Sequence, residues 1–103
     1  GQVALDAATG QLVTGGFEAE ARRVFENLKA VAEAAGSSLA AAVRVTIYLT
    51  DLAQFPVANK VMAEYFGEPY PARVTRTHTN QQAIGVAALP RGAAIEVDCI
   101  LVP

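Results

Sequence analysis

The chain of 103 residues has one cysteine, one histidine and little excess charge of either sign. A lone Cys99 excludes an intramolecular disulfide framework and fits a reducing cytosol. No group of cysteines and histidines has the spacing of a structural zinc site. Eight Lys and Arg stand against ten Asp and Glu, a net charge of −2. That balance argues against a general nucleic-acid surface, which needs clustered positive charge. No apolar run approaches the roughly 20 residues of a membrane span, and no signal-peptide pattern opens the chain. Internal repeats and low-complexity tracts are also missing. The expectation is a cytoplasmic protein with no membrane and no nucleic-acid partner.

Against these absences stands a composition that is 52% hydrophobic and 17% charged, enough to bury a core. The length suits a single domain, residues 1–103. Gly1 to Leu5 reads as a short extended piece that begins abruptly, so further residues upstream are expected to belong with it. Gln11 to Thr14 is short and extended, and Gly15-Gly16 breaks it. Glu18 to Ala35 is the clearest helix: Ala21, Val24, Phe25, Leu28, Val31 and Ala35 fall at the three-and-four spacing of a buried stripe. Gly36 is placed to end it, and Ser37-Ser38 to cap a short turn over Leu39 to Ala42.

Val43 to Thr50 alternates, with Val43, Val45, Ile47 and Leu49 on one side and Arg44, Thr46, Tyr48 and Thr50 on the other. Asp51 caps a turn into a second helix, about Pro56 to Phe66, which Gly67 closes. Tyr70-Pro71-Ala72-Arg73 is extended, because the residue before a proline is pushed out of the helical region. Leu89-Pro90-Arg91-Gly92 is turn chemistry, and Ala93 to Val102 reads as a strand. On it Ile95, Val97, Cys99 and Leu101 share one face, and Glu96 and Asp98 the other. If the two extended segments pair across the turn, or meet across a subunit interface, Arg73 and Glu96 make a small polar site on a sheet. The predicted order is strand, helix, strand, helix, strand, strand, an α+β fold with both helices on one face of the sheet.

Several pieces, taken in order, resemble the reactive-intermediate deaminases called RidA, also known as YjgF. They include Gly1-Gln2-Val3-Ala4-Leu5-Asp6, Glu26-Asn27-Leu28-Lys29-Ala30-Val31, and Val45-Thr46-Ile47-Tyr48-Leu49-Thr50-Asp51-Leu52. Asn59, Tyr70-Pro71-Ala72-Arg73, Val86-Ala87-Ala88-Leu89-Pro90 and Ile95-Glu96-Val97 complete the set. The resemblance implies a chorismate-mutase-like (YjgF-like) mixed sheet and a homotrimer with clefts between subunits. It implies hydrolysis of enamine and imine acids such as 2-aminoacrylate to 2-keto acids and ammonia, with no cofactor and no metal. The partner is then a small imino or keto acid. A ribonuclease activity is also ascribed to the family, and this acidic chain gives it little physical support. Two departures stand out. The family's upstream strands are not in this sequence, and Val74 to Gln82 lengthens the connection after Arg73.

The resemblance assigns Glu96 and Arg73 as catalytic, with Arg73, Asn59 and Gly1 binding substrate. A planar guanidinium grips a carboxylate through two parallel hydrogen bonds. A carboxylate such as Glu96 positions the attacking water and relays a proton to departing ammonia. By residue type alone, Arg73 is a surface arginine, Glu96 a solvated strand carboxylate and Asn59 a helix-surface asparagine. Asp98 reads as structural or exposed, and Cys99 as a packed thiol. His78, among Thr77, Thr79, Asn80 and Gln81, reads as part of a polar loop or edge hairpin, with Arg76 beside it able to replace or crowd Arg73. The competing readings are a trimeric module that holds small carboxylates without turnover, and an inactive variant of the same fold.

Overall fold

The computed structural model describes residues 2–6, 8–39, 42–66 and 80–101. Helix α1 (Phe17–Ala34) has Glu18 and Glu20 in its first turn, at the positive end of the helix dipole. Its C-terminus closes as expected on Gly36, whose φ of 79° is left-handed. The Ser37 N–H donates to Ala32 O at 2.9 Å and the Gly36 N–H to Glu33 O at 3.0 Å, which satisfies two of the carbonyls of the last turn. The buried face is Ala21, Val24, Phe25, Leu28 and Ala32. This corrects the predicted stripe: at about 100° per residue Val31 falls some 80° off its centre. Val31 is 52% exposed, and Ala35 lies past the helix end.

Strand β1 (Ala42–Leu49) follows. Ala42 opens it, rather than ending the short turn expected after Ser38. The Asp51 carboxylate accepts the Ala53 N–H at 3.0 Å and starts a 3-10 turn, Leu52–Gln54, that runs into α2 (Phe55–Phe66). The two helices are clasped at their surface. The Arg22 guanidinium donates to Glu18 Oε2 at 2.9 Å and to both carboxylate oxygens of Glu64, one of them at 3.1 Å. The Phe25 and Tyr65 rings stack at 5.7 Å, and the Tyr65 hydroxyl donates to Glu26 at 2.6 Å. Burial, then that hydrogen bond, pushes the Tyr65 hydroxyl up to about 12.

Strands β2 (Asn80–Gly85) and β3 (Ile95–Leu101) complete a mixed sheet of order β2-β1-β3. β2 runs parallel to β1, as a connection through a helix allows, and β3 runs antiparallel. The two strands that flank the polar turn, β2 and β3, therefore do not pair with each other, because β1 lies between them; Tyr70 to Arg73, the extended segment expected to meet β3, lies outside the described residues. The connection passes the end of β1: the Val86 N–H donates to Leu49 O at 2.9 Å and the Thr50 N–H to Ala94 O at 3.2 Å. Its 3-10 turn, Pro90–Gly92, holds both Arg91 (φ 59°) and Gly92 (φ 70°) left-handed, although only the glycine does so without steric cost. β3 starts later than predicted because the Ala94 N–H is taken by the Glu20 carboxylate at 2.8 Å instead of the ladder. Asn80 to Gln82, assigned to the lengthened connection, belong to β2; residues 74–79 lie outside the described set.

The predicted first strand appears only as isolated bridges, Gln2 to Val97 and Leu5 to Leu12. The core lies between helices and sheet: Val24, Phe25 and Leu28 from α1, Val61 and Met62 from α2, Val45, Ile47 and Leu49 from β1, and Ile95 and Val97 from β3. Two helices on one face of a mixed sheet is the predicted α+β class. No helix of the described residues is long and apolar enough to cross a membrane.

Candidate active site

The face of the sheet turned away from the helices carries Glu96, the one expected catalytic residue among those described. Strand alternation puts Ile95 and Val97 fully into the core, so Glu96 and Asp98 stand half-buried on the opposite side. The register then fixes their neighbours on β1. Tyr48 lies directly across from Glu96, Thr46 across from Asp98, and Arg44 across from Ile100. On the other flank Ile84 of β2 pairs with Tyr48. Thr46 is 4% exposed, while Ile84 and Ile100 are 41% and 53% exposed at the margins. The result is a patch with two carboxylates and a phenol near its centre, Arg44 as the cation of β1, and apolar side chains at both edges.

The two carboxylates are not equivalent. The Tyr48 hydroxyl donates to Asp98 Oδ2 at 3.3 Å. The charge of Asp98, then burial, pushes the Tyr48 hydroxyl above its ordinary range, so the phenol stays protonated and donating. Asp98 is thus a structural partner, as expected. Among the described residues no hydrogen bond engages the Glu96 carboxylate, which leaves its oxygens open to a water molecule. The Cys99 thiol packs against the core, and burial followed by the nearby Asp98 charge pushes it up, away from the thiolate a nucleophile needs. No three His, Cys, Asp or Glu among the described residues come together as a metal site.

Asn59 is exposed on α2, over the helix-covered face, whereas Glu96 projects from the other. One chain therefore does not bring these two together. Arg73, Gly1, His78 and Arg76 lie outside the described residues.

Two features escaped the sequence reading. The Tyr48–Asp98 contact was half legible, since strand alternation put both residues on polar sides; the missing part was the register that lays β3 against β1. The other is Asn27 of α1, whose side-chain Nδ2 donates to Val3 O at 3.1 Å and Leu5 O at 3.0 Å. An asparagine beside a buried helical stripe has no pattern that distinguishes it from a solvated one.

Comparison with known proteins agrees with this architecture. The family described as endoribonuclease L-PSP matches residues 1–102. A RutC family protein of Pyrococcus horikoshii is 44% identical over 100 residues, covering 97% of this chain and 73% of that protein. A 2-iminobutanoate/2-iminopropanoate deaminase of Dermatophagoides farinae is 39% identical over 102 residues, covering 99% of this chain and 73% of the relative. Among solved structures, RidA from an Antarctic Psychrobacter superposes with a TM-score of 0.83 at 41% identity, covering 97% of this chain and 74% of that one. The expected YjgF-like arrangement of two helices on a mixed sheet is therefore the observed one.

Proposed function

Because the chain belongs to the endoribonuclease L-PSP family, the RidA/YjgF family, we propose that it hydrolyses reactive enamine and imine acids such as 2-aminoacrylate to 2-keto acids and ammonia. The observation that carries this reading is Glu96: a carboxylate fixed on a strand, free of protein hydrogen bonds among the described residues, beside one that Tyr48 already occupies. Relatives named as 2-iminobutanoate/2-iminopropanoate deaminases support the substrate class.

The proposed chemistry is as follows. The enamine takes a proton from water at carbon and becomes the iminium. Glu96 takes a proton from a second water as its oxygen attacks the iminium carbon. Glu96 passes that proton to the nitrogen of the resulting carbinolamine, then takes up the remaining hydroxyl proton as C=O forms and the C–N bond breaks; ammonia leaves and Glu96 releases its proton to solvent. Arg73 holds the substrate carboxylate by a two-bond grip. Gly1 and Asn59 complete the pocket. No cofactor or metal is invoked. A homotrimer with clefts between subunits supplies the geometry, because Asn59 and Glu96 stand on opposite sides of one chain's sheet and meet only across an interface. We assign the whole of residues 1–103 to one domain and the protein to the cytoplasm, consistent with its unpaired Cys99.

The test is release of ammonia and keto acid from 2-aminoacrylate generated by a dehydratase, with and without the chain. A second reading is a trimeric module that binds small carboxylates without turnover. It draws on the Pyrococcus horikoshii relative, the more similar of the two, whose name states no reaction. Carboxylate binding without acceleration of keto-acid release would select it.

A further inference from the structure

The segment that precedes α1 is held with every backbone group from Val3 to Leu5 engaged on its carbonyl side. Asn27 supplies both N–H bonds of its amide, one to Val3 O at 3.1 Å and one to Leu5 O at 3.0 Å. The Ala4 carbonyl between them accepts the Val13 N–H at 3.0 Å, and the Ala4 side chain is fully buried. One residue further, Gln2 and Val97 exchange both backbone bonds, at 2.8 and 3.0 Å. Val97 directly follows Glu96, and its side chain is fully buried in the core. A single amide on a packed helix thus anchors the segment that pairs with the outer edge of β3 beside the acting carboxylate.

We propose that Asn27 is a positioning residue of the site. Its amide clamps residues 3–5 so that Gln2 pairs with Val97, and that pairing steadies the stretch of β3 that carries Glu96. An amide suits the task, because its two N–H donors diverge from one nitrogen and reach two carbonyls two residues apart. A helix-surface polar residue without this role would be replaceable. Asn27→Asp keeps the shape but removes both donors and sets a carboxylate against two carbonyl oxygens. Asn27→Leu removes the donors without adding charge. Functional sites lose precision when such supporting contacts are left loose. The inference rests on the reading of Glu96 as the acting carboxylate.

The experiment pairs amide hydrogen exchange with turnover in the wild-type chain, Asn27→Leu, Asn27→Asp and the exposed same-helix control Lys29→Ala. In both Asn27 variants protection at the Gln2 and Val97 amides falls roughly tenfold or more, while the β1–β3 ladder at Thr46 and Tyr48, the residues of β1 whose backbone groups face β3, keeps its protection. In the same variants kcat for keto-acid formation falls roughly tenfold to a hundredfold with KM little changed, the pattern of lost alignment. Lys29→Ala changes neither. Wild-type protection at Gln2 and Val97 overturns the clamp, and so does an equal loss throughout the sheet, which marks general destabilisation. Local loosening with unchanged kcat overturns the positioning role. If the wild-type chain itself gives no turnover, the deaminase reading fails and exchange at Gln2 and Val97 alone decides the clamp.

Discussion

Two apolar residues three positions apart on β3, Val97 and Ile100, provide a direct test of strand register. Val97 is fully buried beneath the helices, and Ile100 is 53% exposed on the opposite face. Val97→Ala deletes two methyl-sized groups, about 1.6 kcal/mol of transfer free energy at ~0.8 kcal/mol each. The space left behind, between Ile47 on β1 and the α1 side chains, raises the loss to roughly 2–3 kcal/mol. For a domain of this size that lowers Tm by roughly 8–20 °C. Ile100→Ala removes a larger side chain yet costs little within one chain, because little of that surface leaves water on folding. Its effect belongs to the proposed trimer, which covers the helix-free face. The assay is urea denaturation over about a hundredfold range of protein concentration. Val97→Ala shifts the midpoint equally at every concentration, whereas the Ile100→Ala shift shrinks on dilution. Equal and concentration-independent losses for both would refute the account, since a slip of one residue in β3 exchanges its faces.

The clasp between the helices makes a pH prediction. Arg22, through its hydrogen bonds and charge, holds the Glu64 carboxyl below its usual range, so the contribution of Glu64 to folding is present above the unfolded pKa and fades as pH falls through the lowered folded value. Glu64→Gln therefore lowers the denaturation midpoint at pH 7 and loses that effect toward pH 3; a difference that grows in acid would contradict the assignment. At the site, Arg73→Ala lowers kcat/KM for keto-acid formation roughly tenfold to a hundredfold, the loss of about 1.5–3 kcal/mol from a charge-assisted hydrogen bond. His78→Ala leaves it near wild type. Full activity in Arg73→Ala with loss in Arg76→Ala would move the clamp to the second arginine.

The elements were legible because their signals are local. Three-and-four spacing marked α1, alternation marked β1 and β3, and Gly36 and Asp51 marked an end and a start through backbone chemistry alone. Errors arose where the outcome depends on something distant in sequence. Val31 was placed inside because spacing reports a face and not its centre, which the packing of α1 on the sheet decides. The end of β3 nearest Ala94 was shortened by Glu20, 74 residues away. Insertion of β1 between β2 and β3, the strands that flank the polar turn, is a topological fact that no window of sequence carries. For the same reason the outward face of Glu96 follows from strand alternation, while the Tyr48–Asp98 hydrogen bond and the Asn27 bonds to Val3 and Leu5 need the register and the packed helix.

The central claim is that Glu96 performs the proton transfers of an imine-hydrolysing site. The most direct measurement is the rate of keto-acid formation from dehydratase-generated 2-aminoacrylate by the wild-type chain and by Glu96→Gln, with trimer content checked by sedimentation equilibrium. Glutamine keeps the shape and removes the base, so kcat falls roughly 10²- to 10⁴-fold while carboxylate binding and assembly are retained. Glu96→Gln turning over at the wild-type rate, with the wild-type chain active above the uncatalysed background, would contradict it.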